Sequence, residues 1–302
     1  MERPGTPFIA ELASSEASSV QAVAGEHERG LICGRRAVNR KVGQPLQEDT
    51  NTAIAEASWY HAENRQGEII QFIDNFEGPR DVHMIDLFSA SQQGFETFIM
   101  SGFRAKSFDI SSDVRDDVTS EAGFYRMLTL FLDLLPGGLV LSGPPCSLFV
   151  FLSSSFHRRS NLRPLGATDR WKVRLSNLIV SNMCVAMKLV LPRTIYIIIE
   201  QPKSSFMFSH PAMTMLQAAS EQEWVTIPTF MGKFQHSMPK PSLLLTNMRT
   251  ARLLQRSMNF NDFRTLKQLA AASNQVFVRY TPAGPAGGRD LHETAKYTRA
   301  FV

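Results

Sequence analysis

The run Thr-Ile-Tyr-Ile-Ile-Ile at 194–199 constrains this chain more than any other stretch. Every residue in it is β-branched or aromatic, and no polar alternation interrupts it. It therefore reads as a strand covered on both faces, as in parallel sheets packed between helices. The chain from Asp81 onward agrees, because short apolar runs alternate with amphipathic stretches in the manner of βαβ units. Val82–Phe88 reads as the first strand and Gly94–Ser101 as the helix after it; Ala105–Ile110 is the second strand. Phe124–Leu135 has helical spacing and is expected to stop at Pro136-Gly137-Gly138. Leu139–Ser142 is a buried third strand, and Trp171–Leu191 is the longest helix. Beyond the fourth strand, Pro211–Glu221 reads as a helix, and Trp224–Met231 with Ser242–Asn247 as a closing hairpin.

Residues 1–76 differ from this pattern. They are rich in Ala, Ser, Glu and Gln, and 1–50 reads as loosely attached chain, with helices expected near Ala53–Ala62 and Glu68–Phe76. Glu77-Gly78-Pro79 is a turn signal, so the expected division is a partly disordered extension, 1–76, and a folded domain, 77–302.

The net charge of +4 and pI near 9.0 permit an anionic partner without requiring one. Cys33, Cys146 and Cys184 are too few and too scattered for a disulfide framework or a zinc cluster. A reducing, intracellular setting is expected, with any working cysteine doing chemistry. No apolar h-region follows Met1-Glu2-Arg3-Pro4, and the stretch Leu178–Leu191 is broken by Ser181, Asn182 and Lys188. Neither a secretory signal nor a membrane span is expected.

In open α/β sheets, ligands bind at the carboxyl ends of the strands. The residues there are informative: Asp86, Phe88 and Ser89 at the first strand, Asp109 at the second, Pro144–Cys146 at the third and Glu200 at the fourth. In Gly-Pro-Pro-Cys-Ser, 143–147, two prolines end the ladder and make a rigid exit that presents Cys146 at the sheet edge. A thiolate there is placed to attack a carbon electrophile. Cys184, inside an apolar helix, reads instead as a small core residue. A strand-end carboxylate such as Glu200 is partly desolvated and able to hold a proton, although capping a helix or pairing with an arginine suits it equally. The loop from Asp86 to Gly94 is small-residue chain with one glycine, and Asp109 suits ribose hydroxyls or plain solvent exposure. After the nucleophile, Arg158, Arg159, Arg163, Arg170, Lys172 and Arg174 face a single acid, Asp169, which suits phosphate contacts. A second basic segment runs from Lys233 to Arg256.

Asp-Leu-Phe-Ser at 86–89, Phe-Asp-Ile at 108–110, Gly-Pro-Pro-Cys at 143–146 and Glu-Gln-Pro at 200–202 resemble, in order, the motifs of DNA (cytosine-5)-methyltransferases. The likeness covers roughly 81–250 and is closest to compact, divergent protist members. It implies a Rossmann-like class I fold, a seven-stranded mixed sheet with one antiparallel strand, of which the sequence itself shows six. It implies S-adenosylmethionine as cofactor, held by Asp86, Phe88, Ser89, Gly94, Asp109, Pro144 and an acid at Asp116 or, by its Asp-Val context, Asp117. Cys146 would add to cytosine C6 and Glu200 would protonate or hold N3; Arg158, Arg159 and Arg163 would contact nucleic acid, with DNA favoured over RNA, in a nuclear setting. The chain departs from the family at Ala90, where a glycine is usual, at Ser147, and in lacking an Arg-x-Arg, for which Lys233, Gln235 and Lys240 are the nearest substitutes. About 100 residues follow Glu200, too few for a full target-recognition domain. A degenerate protein that binds nucleic acid or a protein partner is the alternative reading.

Overall fold

A computed structural model describes residues 66–273, 278–281, 284–287 and 297–301. All of them lie in the second of the two units into which the chain divides, Glu48–Val302. The expected extension 1–50, the helix at Ala53–Ala62, Cys33 and residues 288–296 lie outside the described residues.

The elements are α1 (Gln66–Asp74), β1 (Val82–Leu87), α2 (Gln93–Met100), β2 (Ala105–Phe108), α3 (Glu121–Leu132), β3 (Leu134–Ser142), the single turn α4 (Ser154–His157), α5 (Trp171–Val190), β4 (Tyr196–Pro202), α6 (Pro211–Ala218), β5 (Val225–Phe230), β6 (Pro241–Thr246), α7 (Phe260–Ala272), β7 (Val278–Thr281) and β8 (Gly284–Gly287). The main sheet is six-stranded, in the order β2-β1-β3-β4-β6-β5. β2, β1, β3 and β4 run parallel, and β6 is antiparallel to both of its neighbours. β7 and β8 form a separate antiparallel pair.

Among the described residues the main sheet has six strands where the resemblance implies seven. Where a further edge strand would follow β2, the chain closes a 3₁₀ turn at Val114–Asp116, capped by Asp113, and Ser120 then caps α3. Those side chains satisfy the backbone donors locally, so the segment has no need of a ladder partner. β3 also begins earlier than Pro136-Gly137-Gly138 suggests. Its register on β1 shifts between the pairs Val82↔Leu134 and Met84↔Leu139, and Gly137 (φ +79°) absorbs the extra residues.

Strand parity sorts the core onto two faces. Ile85, Leu87, Val140, Ile197 and Ile199 face the larger core with α3, α5 and α6. Helix α5 is long and apolar enough, by length and composition, to cross a membrane, but Val180, Met183, Cys184 and Met187 are buried in this core. Ile69 joins them, and Phe72 of α1 meets Tyr125 of α3 edge-on with ring centroids 5.0 Å apart. The opposite face is covered by irregular chain: Leu141, Ile198 and Leu244 pack against Phe234, Ala251, Tyr297 and Phe301. Asp86 pairs in register with Leu141, and Leu141 with Ile198. Asp86, Gly143 and Glu200 therefore share this second face.

Candidate active site

After β1 the chain crosses to β2 on one side and returns to β3 on the other, so the ends of β1 and β3 are the switch point at which open α/β sheets hold their ligand crevice. Two loops line it. The first, 86–94, carries Asp86, which is fully buried and accepts a hydrogen bond from Phe95 N at 3.0 Å at the start of α2. Burial is the main cause that pushes its carboxyl up to about 6, against the backbone bonds that pull it down. Gly94 fits because a Cβ there would meet the Asp86 carboxylate at 2.7 Å. Phe88, Ala90 and Gln92 all adopt left-handed backbone (φ +58°, +43° and +55°), a shape for glycine carried by other residues. Asp86 Oδ1, Ser89 Oγ and Ser91 Oγ are buried without hydrogen-bond partners.

Asp109 lies beside this loop but is already engaged. Its Oδ2 accepts from Ala90 N at 2.9 Å, and its Oδ1 from Ser111 N at 2.8 Å and Ser111 Oγ. It ties the two strand ends together, with acceptor capacity left over on a half-buried carboxylate. Of the two adjacent acids, Asp116 is the buried one: it accepts from Asp109 N at 3.0 Å and pairs with Arg126. Asp117 uses Oδ1 to hold Thr119 and remains partly exposed.

The second loop, 143–150, is clamped. Gly143 N donates to Leu87 O at 3.1 Å, and Cys146 O accepts from Phe149 N and Val150 N. Pro144 is buried, and its carbonyl receives Gln201 Nε2 at 2.8 Å; Ser205 Oγ in turn holds Gln201 Oε1 at 2.8 Å. Gln201, one residue past Glu200, thus fixes the Pro-Pro-Cys exit to the neighbouring strand.

Cys146 and Glu200 come together. Desolvation pushes the Cys146 thiol up to about 11; the Glu200 carboxylate adds to the shift and Lys240 opposes it. Glu200 is buried, accepts from Ser242 Oγ at 2.5 Å, and lies 3.6 Å from Lys240 Nζ, itself only 11% exposed. Of the three substitutes considered for the missing arginine pair, Lys240 is the one at the site; Lys233 pairs with Asp262 instead. Sequence reasoning missed Gln201, Ser242 and Tyr297. Tyr297 is 6% exposed; burial first, then the charges of Glu200, Asp86 and Cys146 and a bond to the Glu200 carboxylate, push its phenol well above the usual range.

The three arginines divide. Arg158 and Arg163 are exposed, as phosphate contacts require. Arg159 is not: it is 4% exposed and donates to Leu148 O (2.8 Å), Pro164 O, Asn177 Oδ1 (2.7 Å) and Ser176 Oγ (2.8 Å), with its guanidinium over the Phe149 ring. It is a structural pin of the loop, and its assignment as a nucleic-acid contact is corrected accordingly. Burial alone pulls its guanidinium down to about 9.

Fold and site together define an open α/β protein with a cysteine–carboxylate pair at adjacent strand ends. No protein-family model matches the sequence, and no curated protein matches it. Among solved structures, that of the Dnmt2 methyltransferase of S. pombe is similar over 61% of this chain at 12% identity, with a TM-score of 0.31. The chain spans 54% of that protein's length. A likeness of this size defines neither the fold nor the activity.

Proposed function

We propose that this chain transfers a methyl group from S-adenosylmethionine to C5 of cytosine in nucleic acid, with DNA favoured over RNA. The observation that carries the reading is the Cys146 thiol beside the Glu200 carboxylate at the ends of β3 and β4, with Lys240 against them.

The first loop suits the cofactor on its own evidence, since three buried polar atoms there lack partners and the backbone keeps a glycine-like cradle. Phe88, Ser89, Asp109, Asp117 and Pro144 would hold the cofactor, with Asp86 and Gly94 beneath. When bound, it supplies an electrophilic methyl group. Burial and the neighbouring Glu200 carboxylate disfavour the thiolate, so Cys146 rests as the neutral thiol and has to give up its proton before it attacks. A proton moved from Cys146 to Glu200 leaves a thiolate and a carboxylic acid. The thiolate forms a bond to ring carbon C6, and the proton passes from Glu200 to N3, which places the displaced electron pair at C5. Lys240 offsets the negative charge this leaves on Glu200. After methylation, water takes the C5 proton, the C5–C6 double bond reforms as the Cys146 thiolate leaves, and N3 returns its proton to Glu200, so the net change is a methyl group in place of a proton at C5. The target base must leave any duplex to reach this edge.

The test is covalent capture by oligonucleotides containing 5-fluorocytosine, as DNA and as RNA, with S-adenosylmethionine present. Cys146-dependent capture of DNA is expected and capture of RNA alone would move the acceptor; no capture of either by wild-type protein removes the cytosine assignment. A binding module without catalysis is the second reading. It is favoured by Ala90 and Gln92 at glycine-like positions and by Tyr297 inside the crevice.

A further inference from the structure

Tyr297 stands where a ligand of the crevice has to go. Its hydroxyl lies over Gly143, so close that a Cβ on that residue would meet it at 2.5 Å. Gly143 is the residue whose amide joins β3 to the end of β1, and so the phenol sits at the mouth between the two loops. The same hydroxyl is sealed from water. It faces the Glu200 carboxylate, with which it forms a weak hydrogen bond outside good geometry. A buried O–H served only by a poorly aligned bond is costly, and its place in a native structure calls for a reason.

The segment around it forms a strap. On the side of β5 and β6, the Phe301 ring meets Phe234 at 5.3 Å and Thr298 Oγ1 donates to Phe234 O. On the other side, Arg299 reaches α2, with Nε 3.3 Å from Gln93 Oε1 and a guanidinium nitrogen 3.8 Å from Glu96. The first anchor is apolar and buried. The second consists of exposed polar contacts, which contribute little. The strap is therefore firmly hinged at Phe234 and weakly latched at α2.

From this geometry we infer that Tyr297 is a gate: its ring closes the crevice over Asp86 and Glu200 and against the half-buried Cys146, and ligand enters when residues 297–301 release α2 and swing about Phe234. The inference rests on the crevice being the ligand site of the proposed reaction, but the closure itself is testable without that reaction. Iodoacetamide labelling of Cys146, followed by peptide mapping of the full chain, reads it directly. Tyr297→Ala is expected to label at least tenfold faster than wild type. Arg299→Ala, which frees the latch without touching the crevice, is expected to label severalfold faster, and Tyr297→Phe, which keeps the ring, at the wild-type rate. The buried Cys184 peptide reports folding: if it also becomes reactive in Tyr297→Ala, Arg299→Ala becomes the deciding variant. Unchanged Cys146 labelling in a folded Tyr297→Ala, or in Arg299→Ala where that variant decides, overturns the gate. Calorimetry with S-adenosylmethionine is the second arm, in which Tyr297→Ala is expected to bind more tightly than wild type. Faster labelling with no binding by either protein would sink the methyl-transfer reading and leave the gate standing.

Discussion

The two loops at the crevice follow adjacent parallel strands of one sheet, yet they are built in opposite ways. Loop 143–150 is satisfied: its carbonyls and amides are taken up by Gln201, Leu87 and its own turn, and Arg159 pins it from behind. Loop 86–94 is unsatisfied, with three non-glycine residues in left-handed backbone and three polar atoms buried without partners. The difference separates two tasks. A nucleophile has to be held still before anything arrives, whereas a ligand cradle keeps its polar groups free until the ligand comes.

If that contrast is real, substitutions that remove side-chain bonds behind the second loop destabilise the protein, and substitutions that relax the first loop stabilise it. The largest effect is expected at Arg159. Its replacement by alanine leaves Leu148 O, Pro164 O and Asn177 Oδ1 without the partner that satisfied them, for a loss of about 3 kcal/mol in denaturant unfolding. Arg158→Ala, one residue away and exposed, should stay within about 0.5 kcal/mol. Equal losses would mean the loop is not pinned.

Asp86 comes next and carries a pH signature. Its folded carboxyl titrates near 6 against 3.8 unperturbed, so the native state holds the proton more tightly than the unfolded chain does. Its contribution to stability is full below pH 4 and is lost as pH rises through 6. Over that window the loss is roughly 2–3 kcal/mol at about 1.4 kcal/mol per unit. Asp86→Asn keeps an acceptor for Phe95 N and never ionises. It is expected to be the more stable protein at pH 8, with the difference vanishing near pH 4. A variant less stable than wild type at pH 8 would break the contrast. The smallest effect is Ala90→Gly, which relieves a left-handed alanine for a gain of roughly 0.5–1 kcal/mol. A loss there would show that the backbone is not strained.

How much of this was legible in the sequence follows from what is local. The strands and the residues ending them are local: an apolar run stops, and Asp86, Asp109, Cys146 or Glu200 follows. Pro136-Gly137-Gly138 misled because these residues end helices and also build bulges, and only pairing with β1 decides which. The seventh strand came from resemblance, and local capping by Asp113 and Ser120 took its place. Arg158 and Arg159 are indistinguishable as neighbours in a basic run; the burial of one is set by Phe149 of the loop 143–150 and by Ser176 and Asn177 of α5. Lys240 and Tyr297 reach the site across long sequence separations, through the register of β6 on β4 and through the fold-back of 297–301.

The reversed direction of β6 has a consequence for how such a site can change. A strand laid against the grain of its sheet starts where its neighbours finish. Lys240, just before β6 begins, and Ser242, two residues later, thereby arrive at an edge otherwise supplied by strand ends. The hairpin connection 231–240 holds Lys240 at the site and buries Phe234 under the strap, and its exposed positions, Lys233, Gln235 and Ser237, are the ones left open to change. These can be recharged without shifting the anchored nucleophile, which makes them the natural place for diversification around the crevice.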